Sequence, residues 1–335
     1  MNIDNVKQVV KDNYNLDIVD MKKIKNVYKI SGEEEDYCLK VINYNLPRFL
    51  FVIGAIKHLQ NKKFKNTPRI IKNKDGGEYV QIDSCFAYLT PWINARECNY
   101  SNPLDVMAAA SKLADLHKKS LGFIVDKKME VRTGWFNWSR DFLKKKGELF
   151  KFKDIILSKS QRTEFDNLYL ESMEEEIGRI DKTLGHLSDT KYLSKMVAEY
   201  KLKGFCHHDY AHHNVLIEES GDMNIIDFDY CLLDTHLHDL SSLIIRVMKN
   251  GKWDMDSATF ILDSYNSIYT LDNDDIPIMA ALIEFPQAYW QLGIQYYEEK
   301  QPWGEEFFIN KLIKIYEDKD YRQDFVDEFK SINYK

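Results

Sequence analysis

A chain of 335 residues with 44 % apolar and 30 % charged residues, and only 14 Gly and 7 Pro, is long enough for two cores and excludes collagenous, low-complexity and disordered classes. Its 46 basic against 53 acidic residues leave a net −7, and the short Lys clusters at 22–25, 62–65 and 144–146 read as solvated faces, so neither nucleic acid nor a membrane is expected as a partner. The longest apolar run, 49–56, is too short to span a bilayer, the first residues are polar without an export signal, and the five cysteines are widely spaced without a CxxC pair, which points to reduced thiols and a cytoplasmic location.

Short β-prone runs come first, at 18–19, 27–30 and 37–42, the last two separated by the polar turn 31–36. A helical stretch at 47–60 follows, then further β-prone runs at 69–71, 78–82 and 86–89. The simplest assembly is an antiparallel sheet of about five strands with one helix inserted after the third. From residue 101 the period turns helical. Asn102 can cap, Pro103 suits the first helical position, Asp105 faces the positive helix end, and Val106, Ala110, Leu113 and His117 follow one stripe. Residues 138–203 are largely helical, charged and poor in glycine. One β signal interrupts this half, 215–217 and 223–226 around a Glu-Glu-Ser-Gly-Asp turn, before helical patterns resume at 237–248 and run to the end. There is no internal repeat. The fold class is α+β, with a β-rich lobe over 1–92 and a larger α-rich lobe over 93–335, joined near Thr90–Ile93.

The window His207-His208-Asp209-Tyr210-Ala211-His212-His213-Asn214 carries the chemistry, together with Ile226-Asp227-Phe228-Asp229 beyond the hairpin. The hairpin folds the chain back, so Asp227 returns beside Asp209 and Asn214 although it lies 13 positions after Asn214. Two carboxylates and a carboxamide oxygen then share one space, an oxygen-only set suited to Mg²⁺. A carboxylate beside such a set can accept the proton of an attacking hydroxyl. The spacing is that of the kinase catalytic pattern, His-x-Asp with Asn five residues after the Asp, then Asp-Phe-x. Each short motif is weak alone, and the hairpin between them makes the joint signal strong. A kinase also needs a third-strand lysine for the nucleotide phosphates, and Lys40 in Tyr37-Cys38-Leu39-Lys40 parallels Val-Ala-Ile-Lys. Alternation puts Cys38 on the face of Lys40, where its small side chain leaves room for adenine.

These motifs, with Val80-Gln81-Ile82, Leu89-Thr90-Pro91-Trp92-Ile93, Arg96-Glu97-Cys98, Leu113-Ala114-Asp115-Leu116-His117, Phe285-Pro286 and Gln295-Tyr296-Tyr297, resemble the aminoglycoside phosphotransferase and choline kinase superfamily over nearly the whole chain. Within that superfamily the chain is most similar to the CotS-type spore-coat family. The resemblance implies a two-lobed protein-kinase-like fold, with ATP and Mg²⁺ in the cleft between lobes and γ-phosphoryl transfer to the hydroxyl of a small-molecule acceptor. It implies Asp209 as catalytic base or hydroxyl-orienting residue, Asn214 and Asp227 as Mg²⁺ ligands, and Lys40 as phosphate clamp. His207 would brace the catalytic loop, and Asp239, 12 residues after Asp227, would hold that loop's backbone from an adjoining helix. Adenine would be read by backbone groups around Leu89, Thr90 and Trp92, with Ile226 beneath the ring and Cys38 beside it. A place in the spore coat, with coat proteins as partners, is implied as well.

Two departures from the pattern favour an alternative, a kinase-fold coat scaffold that binds nucleotide without turnover. No Gly-rich loop separates the first strands; residues 21–26 stand in its place, so phosphate cover must come from other backbone or from side chains such as Lys22, Lys23 or Asn26. The helix at 47–60 holds no Glu or Asp, so Lys40 lacks the usual acidic partner from that helix. The intact Asp209, Asn214 and Asp227 oppose the scaffold reading.

The four histidines within 207–213 raise a zinc reading, with His208 and His212 four apart, but the strand entry at Asn214-Val215 and the missing fourth ligand weigh against it. A metal-dependent phosphohydrolase would leave the hairpin and Asn214 unexplained. His117 reads as a core histidine. Tyr289, Trp290, Tyr296 and Tyr297 read as packing, and with Glu284, Glu298, Glu299 and Glu305 nearby they suggest a cationic or sugar-like acceptor.

Overall fold

The computed structural model describes residues 2–249 and 251–333. The chain forms two compact units, one comprising the residues up to Arg132 together with Lys203–Leu233, the other comprising Thr133–Leu202 and the residues from Asp234 onward.

The first unit begins with helix α1 (Ile3–Asn13), capped by the Asn2 side chain, which accepts from the Asp4 N–H at 3.0 Å. A strand-rich reading of this region missed the helix. Its valines disfavour helix intrinsically, and what holds it is tertiary packing of Val6, Val10 and the following Tyr14 on the sheet. Strands β1 (Asp20–Ile24), β2 (Val27–Ser31) and β3 (Asp36–Ile42) follow, then helix α2 (Leu46–Asn61) and strands β4 (Val80–Ile82) and β5 (Cys85–Pro91). The five strands make one antiparallel sheet in the order β1-β2-β3-β5-β4, with the helix inserted after the third, as expected. The run at 69–71 forms only a bridge, Ile71 to Leu89.

Alternation sorts the two faces of the sheet. Tyr28, Ile30, Leu39, Val80, Ile82, Ala87 and Leu89 pack with α1 in one core. On the other face, register sets Cys38 opposite Thr90 and Lys40 opposite Tyr88.

Helix α2 starts at the Asn45 cap, whose side chain accepts from the Arg48 N–H at 2.9 Å, and it buries Phe49, Phe51, Val52, Ile53, Ala55, Ile56 and Leu59. After β6 (Ala95–Glu97) comes α3 (Pro103–Ser120), where the Asn102 side chain accepts from the Leu104 N–H at 3.1 Å and Val106, Ala110, Leu113 and His117 are buried along the expected stripe. Asp105 also takes the Arg96 guanidinium on both oxygens, at 2.6 and 2.9 Å. Strands β7 (Val215–Glu218) and β8 (Met223–Ile225) are the anticipated hairpin, and β6 joins them as a third strand. Its Ala-Arg-Glu holds no β-branched or aromatic residue, so β6 was not legible, unlike the equally short β4 and β8 in their apolar runs.

The second unit is helical: α4 (Trp138–Ser158), α5 (Glu164–Asp189), α6 (Tyr192–Leu202), α7 (Leu237–Met248), α8 (Met255–Asn266), α9 (Asp275–Glu284), α10 (Gln287–Gly293) and α11 (Glu305–Phe329). Thr163 and Asp166 form a capping box at the start of α5. The late aromatic residues pack here. Tyr289 stacks on Tyr169 with centroids 4.2 Å apart, Tyr296 lies 4.2 Å from Phe165, and the Tyr297 hydroxyl donates to Asp166 at 3.1 Å. Two of the nearby acids serve the same packing, Glu284 buried against His186 and Lys182 and Glu305 accepting from the Phe165 N–H, while Glu298 and Glu299 are exposed. No helix among the described residues is long and apolar enough to cross a membrane. The architecture is α+β, a five-stranded antiparallel sheet and a smaller sheet with a mostly helical remainder.

Candidate active site

Two backbone hydrogen bonds between Cys206 and Leu232, at 2.9 and 3.2 Å, close the segment that carries the motif residues. Within it His207 is fully buried, and its Nδ1 accepts from the Asp209 N–H at 3.3 Å. That assigns the ring proton to Nε2, which donates to the Ile226 carbonyl at 2.9 Å. One imidazole thus ties the loop before β7 to the segment after β8. Its ring also lies 4.8 Å from Phe228.

The carboxamide of Asn214 donates through Nδ2 to the Asp209 carbonyl at 2.9 Å and to Asp209 Oδ2 at 3.1 Å, leaving the amide oxygen on the opposite side. The Ile226 N–H donates to the Asn214 carbonyl at 3.0 Å, because Val215 pairs with Ile225 in the hairpin. The hairpin therefore returns Asp227 to Asn214. Two non-glycine residues sit in the left-handed region here, His208 at φ 67 and Asp227 at φ 64, conformations that cost roughly 1–3 kcal/mol and persist at functional sites.

Lys40 reaches this segment from β3. Its Nζ stands 2.9 Å from Asp227 Oδ2 and 3.0 Å from Asp229 Oδ2, and the residue is only 5 % exposed. Burial pushes the Asp227 carboxyl up, but the Lys40 ammonium outweighs it and holds the group below its usual range. Asp229, more deeply buried and facing the Asp227 charge, is pushed up to about 6. Burial opposes the Lys40 charge, and the Asp229 and Asp227 carboxylates overcome that and raise its affinity for the proton. The remaining oxygens, Asp227 Oδ1 and Asp229 Oδ1, are buried without a hydrogen-bond partner. Of the two, Asp227 lines the same cavity wall as Asn214, and its orphaned oxygen with that carboxamide suits a hard divalent cation, Mg²⁺ among them.

Lys40, Asn214 and Asp227 open onto a cavity of about 340 Å³, within the range of small-molecule sites. Of the residues singled out in the sequence, Cys38, Lys40, Thr90, Trp92, Asn214, Ile226 and Asp227 all line it. Leu89 does not: its side chain is in the core on the other face of β5, and its carbonyl accepts from the Ile71 N–H. Asp209 and His207 hold the loop beside the cavity. Asp239 belongs to the second unit, fully buried in the first turn of α7 next to His238. Among the candidates for phosphate cover, Asn26 lines the cavity, joined by Lys25. Lys23 instead lies over the Tyr28 ring.

Sequence reasoning missed Asp229, Lys25 and Tyr88. Asp229 was visible as the second acid of Ile-Asp-Phe-Asp, yet a partner for Lys40 was sought on the helix. Among the described residues, none of the four loop histidines belongs to a group of three His, Cys, Asp or Glu ligand atoms close enough to share an ion. His212 lies 3.8 Å from Glu97 at the exposed rim.

The chain is similar to known proteins over nearly its whole length. The family model described as Spore coat putative kinase YutH matches residues 7–329. Spore coat protein S of Bacillus subtilis (strain 168) is 25 % identical over 315 residues, covering 92 % of this chain and 89 % of that one. Among solved structures, an aminoglycoside phosphotransferase from Alicyclobacillus acidocaldarius has a TM-score of 0.83 at 20 % identity, covering 96 % of this chain and 94 % of the other. Spectinomycin phosphotransferase in complex with ADP and spectinomycin has a TM-score of 0.68 at 15 % identity, covering 99 % of each. The fold is thus two-lobed and protein-kinase-like.

Proposed function

This chain belongs to the Spore coat putative kinase YutH family, and from that footing we propose that it is an ATP- and Mg²⁺-dependent phosphotransferase acting on the hydroxyl of a small molecule, in the setting of the spore coat. The observation that carries the reading is the buried Lys40 ammonium between two carboxylates whose outer oxygens are orphaned, at the wall of a ligand-sized cavity. The ADP bound by spectinomycin phosphotransferase supports a nucleotide as occupant.

In this reading adenine lies between the sheet face bearing Cys38 and Thr90 and the Ile226 side chain, and Lys40 meets the phosphates. Asn214 and Asp227 would hold Mg²⁺, which would supply charge neutralisation at the phosphates. Asp209, fixed by Asn214 and by its N–H to His207, orients the acceptor hydroxyl and takes its proton. The acceptor oxygen forms a bond to the γ-phosphorus, the bond to the bridging oxygen breaks, and ADP leaves. Coat proteins are the expected macromolecular partners. A cationic or sugar-like acceptor is the class to test first.

The experiment is an unbiased metabolite screen for ATP-dependent gain of one phosphate, run with the intact chain and Asp209→Ala. Transfer by the intact chain that Asp209→Ala abolishes, with Mg·ATP affinity kept within about twofold, is the expected result. Asp227→Ala should instead weaken Mg·ATP binding in calorimetry; unchanged affinity contradicts its role as a cation ligand. The two-residue connection of β1 to β2, in place of a Gly-rich loop, favours the second reading, a coat scaffold that binds nucleotide. Binding without transfer across the whole screen selects that one.

A further inference from the structure

Helix α2 stands where a carboxylate partner for Lys40 would be sought, and its 16 residues include no Asp or Glu. It offers Ile56 instead, which is buried and lines the same cavity as Lys40. A buried ammonium facing only isoleucine would be uncompensated. Two carboxylates meet it from elsewhere, and they are not equivalent. Asp227 stands beside Asn214 and has a cation to hold. Asp229 lies one tight turn on, in the 3-10 segment Phe228–Tyr230, which is closed by the Cys231 N–H donating to the Phe228 carbonyl at 3.0 Å.

We propose that Asp229 is the positioning residue that aims Lys40 at the nucleotide phosphates, in place of an acid on α2. An ammonium has three donors. Asp227 and Asp229 engage two of them, and the third is left for a phosphate oxygen. When Asp227 turns to a cation, Asp229 still holds the lysine. In protein kinases the helix acid lets movement of that helix switch the lysine; here the lysine is set by the segment 226–231, so displacing α2 leaves it in place.

The inference rests on the nucleotide reading, so the intact chain is titrated first with Mg·ATP, and failure to bind overturns that reading itself. Given binding, Asp229→Asn should weaken Mg·ATP affinity by about tenfold or more, the worth of a hydrogen bond between charged groups, with the half-saturating Mg²⁺ concentration unchanged. Adding Ile56→Glu to that variant, which returns a carboxylate from the helix side, should recover affinity to within about threefold of the intact chain. Affinity of Asp229→Asn within about twofold of the intact chain overturns the proposal. So does a loss that excess Mg²⁺ abolishes, which would make Asp229 a cation ligand. If Asp229→Asn does not fold, Asp227→Asn decides: Lys40 should stay slow toward an amine-acylating reagent, read by peptide mass spectrometry. Labelling as fast as the exposed Lys22 overturns the assignment.

Discussion

Lys25 stands in the tight connection between β1 and β2 at φ 53, a conformation that an L side chain holds at a cost of roughly 1–2 kcal/mol, and it lines the cavity. Glycine would adopt that angle without strain but would lose about 0.5–1 kcal/mol more entropy on folding. Lys25→Gly should therefore fold as well as the parent or up to ~1 kcal/mol better, while weakening Mg·ATP about three- to tenfold if the ammonium covers phosphate. Urea unfolding and calorimetry read the two effects separately; a variant stabilised with unchanged affinity leaves Lys25 as a turn residue only. The same contrast shows what individual residues disclose in sequence. Asp209, Asn214 and Asp227 were legible because one hairpin fixes their spacing. The left-handed backbone at His208 and Asp227 was not, since neither is a glycine and only the surrounding hydrogen bonds impose it. Asp229 carried no assigned role, because the acid that neutralises a buried lysine can come from any segment the fold brings near.

At the scale of elements, strand β3 shows how one period divides stability from binding. Leu39 is fully buried in the core under α1, whereas its neighbour Cys38 faces the cavity opposite Thr90. Leu39→Ala should cost about 2–5 kcal/mol in urea unfolding and leave the Mg·ATP affinity of the folded protein nearly unchanged. Cys38→Leu should do the reverse, filling adenine's space with little effect on stability; equal effects on both quantities for the two variants would refute the face assignment. The Cys38 thiol, pushed up to about 11 by burial, remains protonated near neutral pH, so slow alkylation there reflects its ionisation as well as its access. Elements with a clear period were read well: β2, β3, α2, the stripe of α3, the β7–β8 hairpin and α7. Those without one were not. Helix α1 depends on packing that propensity does not report, β6 (Ala-Arg-Glu) holds no β-branched or aromatic residue, and the Lys-rich 20–24 stretch became β1 only because β2 pairs with it.

For the whole molecule, chain order does not disclose that Lys203–Leu233 packs with the first 132 residues, because a returning hairpin is a tertiary fact. It also hides which acids the fold buries without a cation. Asp234 is the clearest of these, 3 % exposed, accepting from the Thr235 N–H at 2.8 Å and facing Trp138 Nε1 at 3.5 Å. Gly134 passes so close that any Cβ there would strike the carboxylate. Burial pushes this carboxyl up to about 6; the neighbouring His238 and the two donors pull it down and Asp239 adds to the rise. An unfolded Asp titrates near 3.9, so between about pH 4 and 6 the native state binds more protons than the unfolded state. Stability contributed by this group is then full below about pH 4, falls as pH rises, and is lost above about pH 6, a change of roughly 3 kcal/mol. Asp234→Asn keeps an acceptor for the Thr235 N–H and removes the titration. Compared with the parent at each pH, which cancels the other titrating groups, the variant should gain up to about 3 kcal/mol in urea unfolding at pH 7.5, and the gain should vanish by about pH 4. A difference that stays constant from pH 4 to pH 7.5 would show that Asp234 is ionised throughout, and that the Thr235 and Trp138 donors suffice to hold a bare charge inside the helical unit.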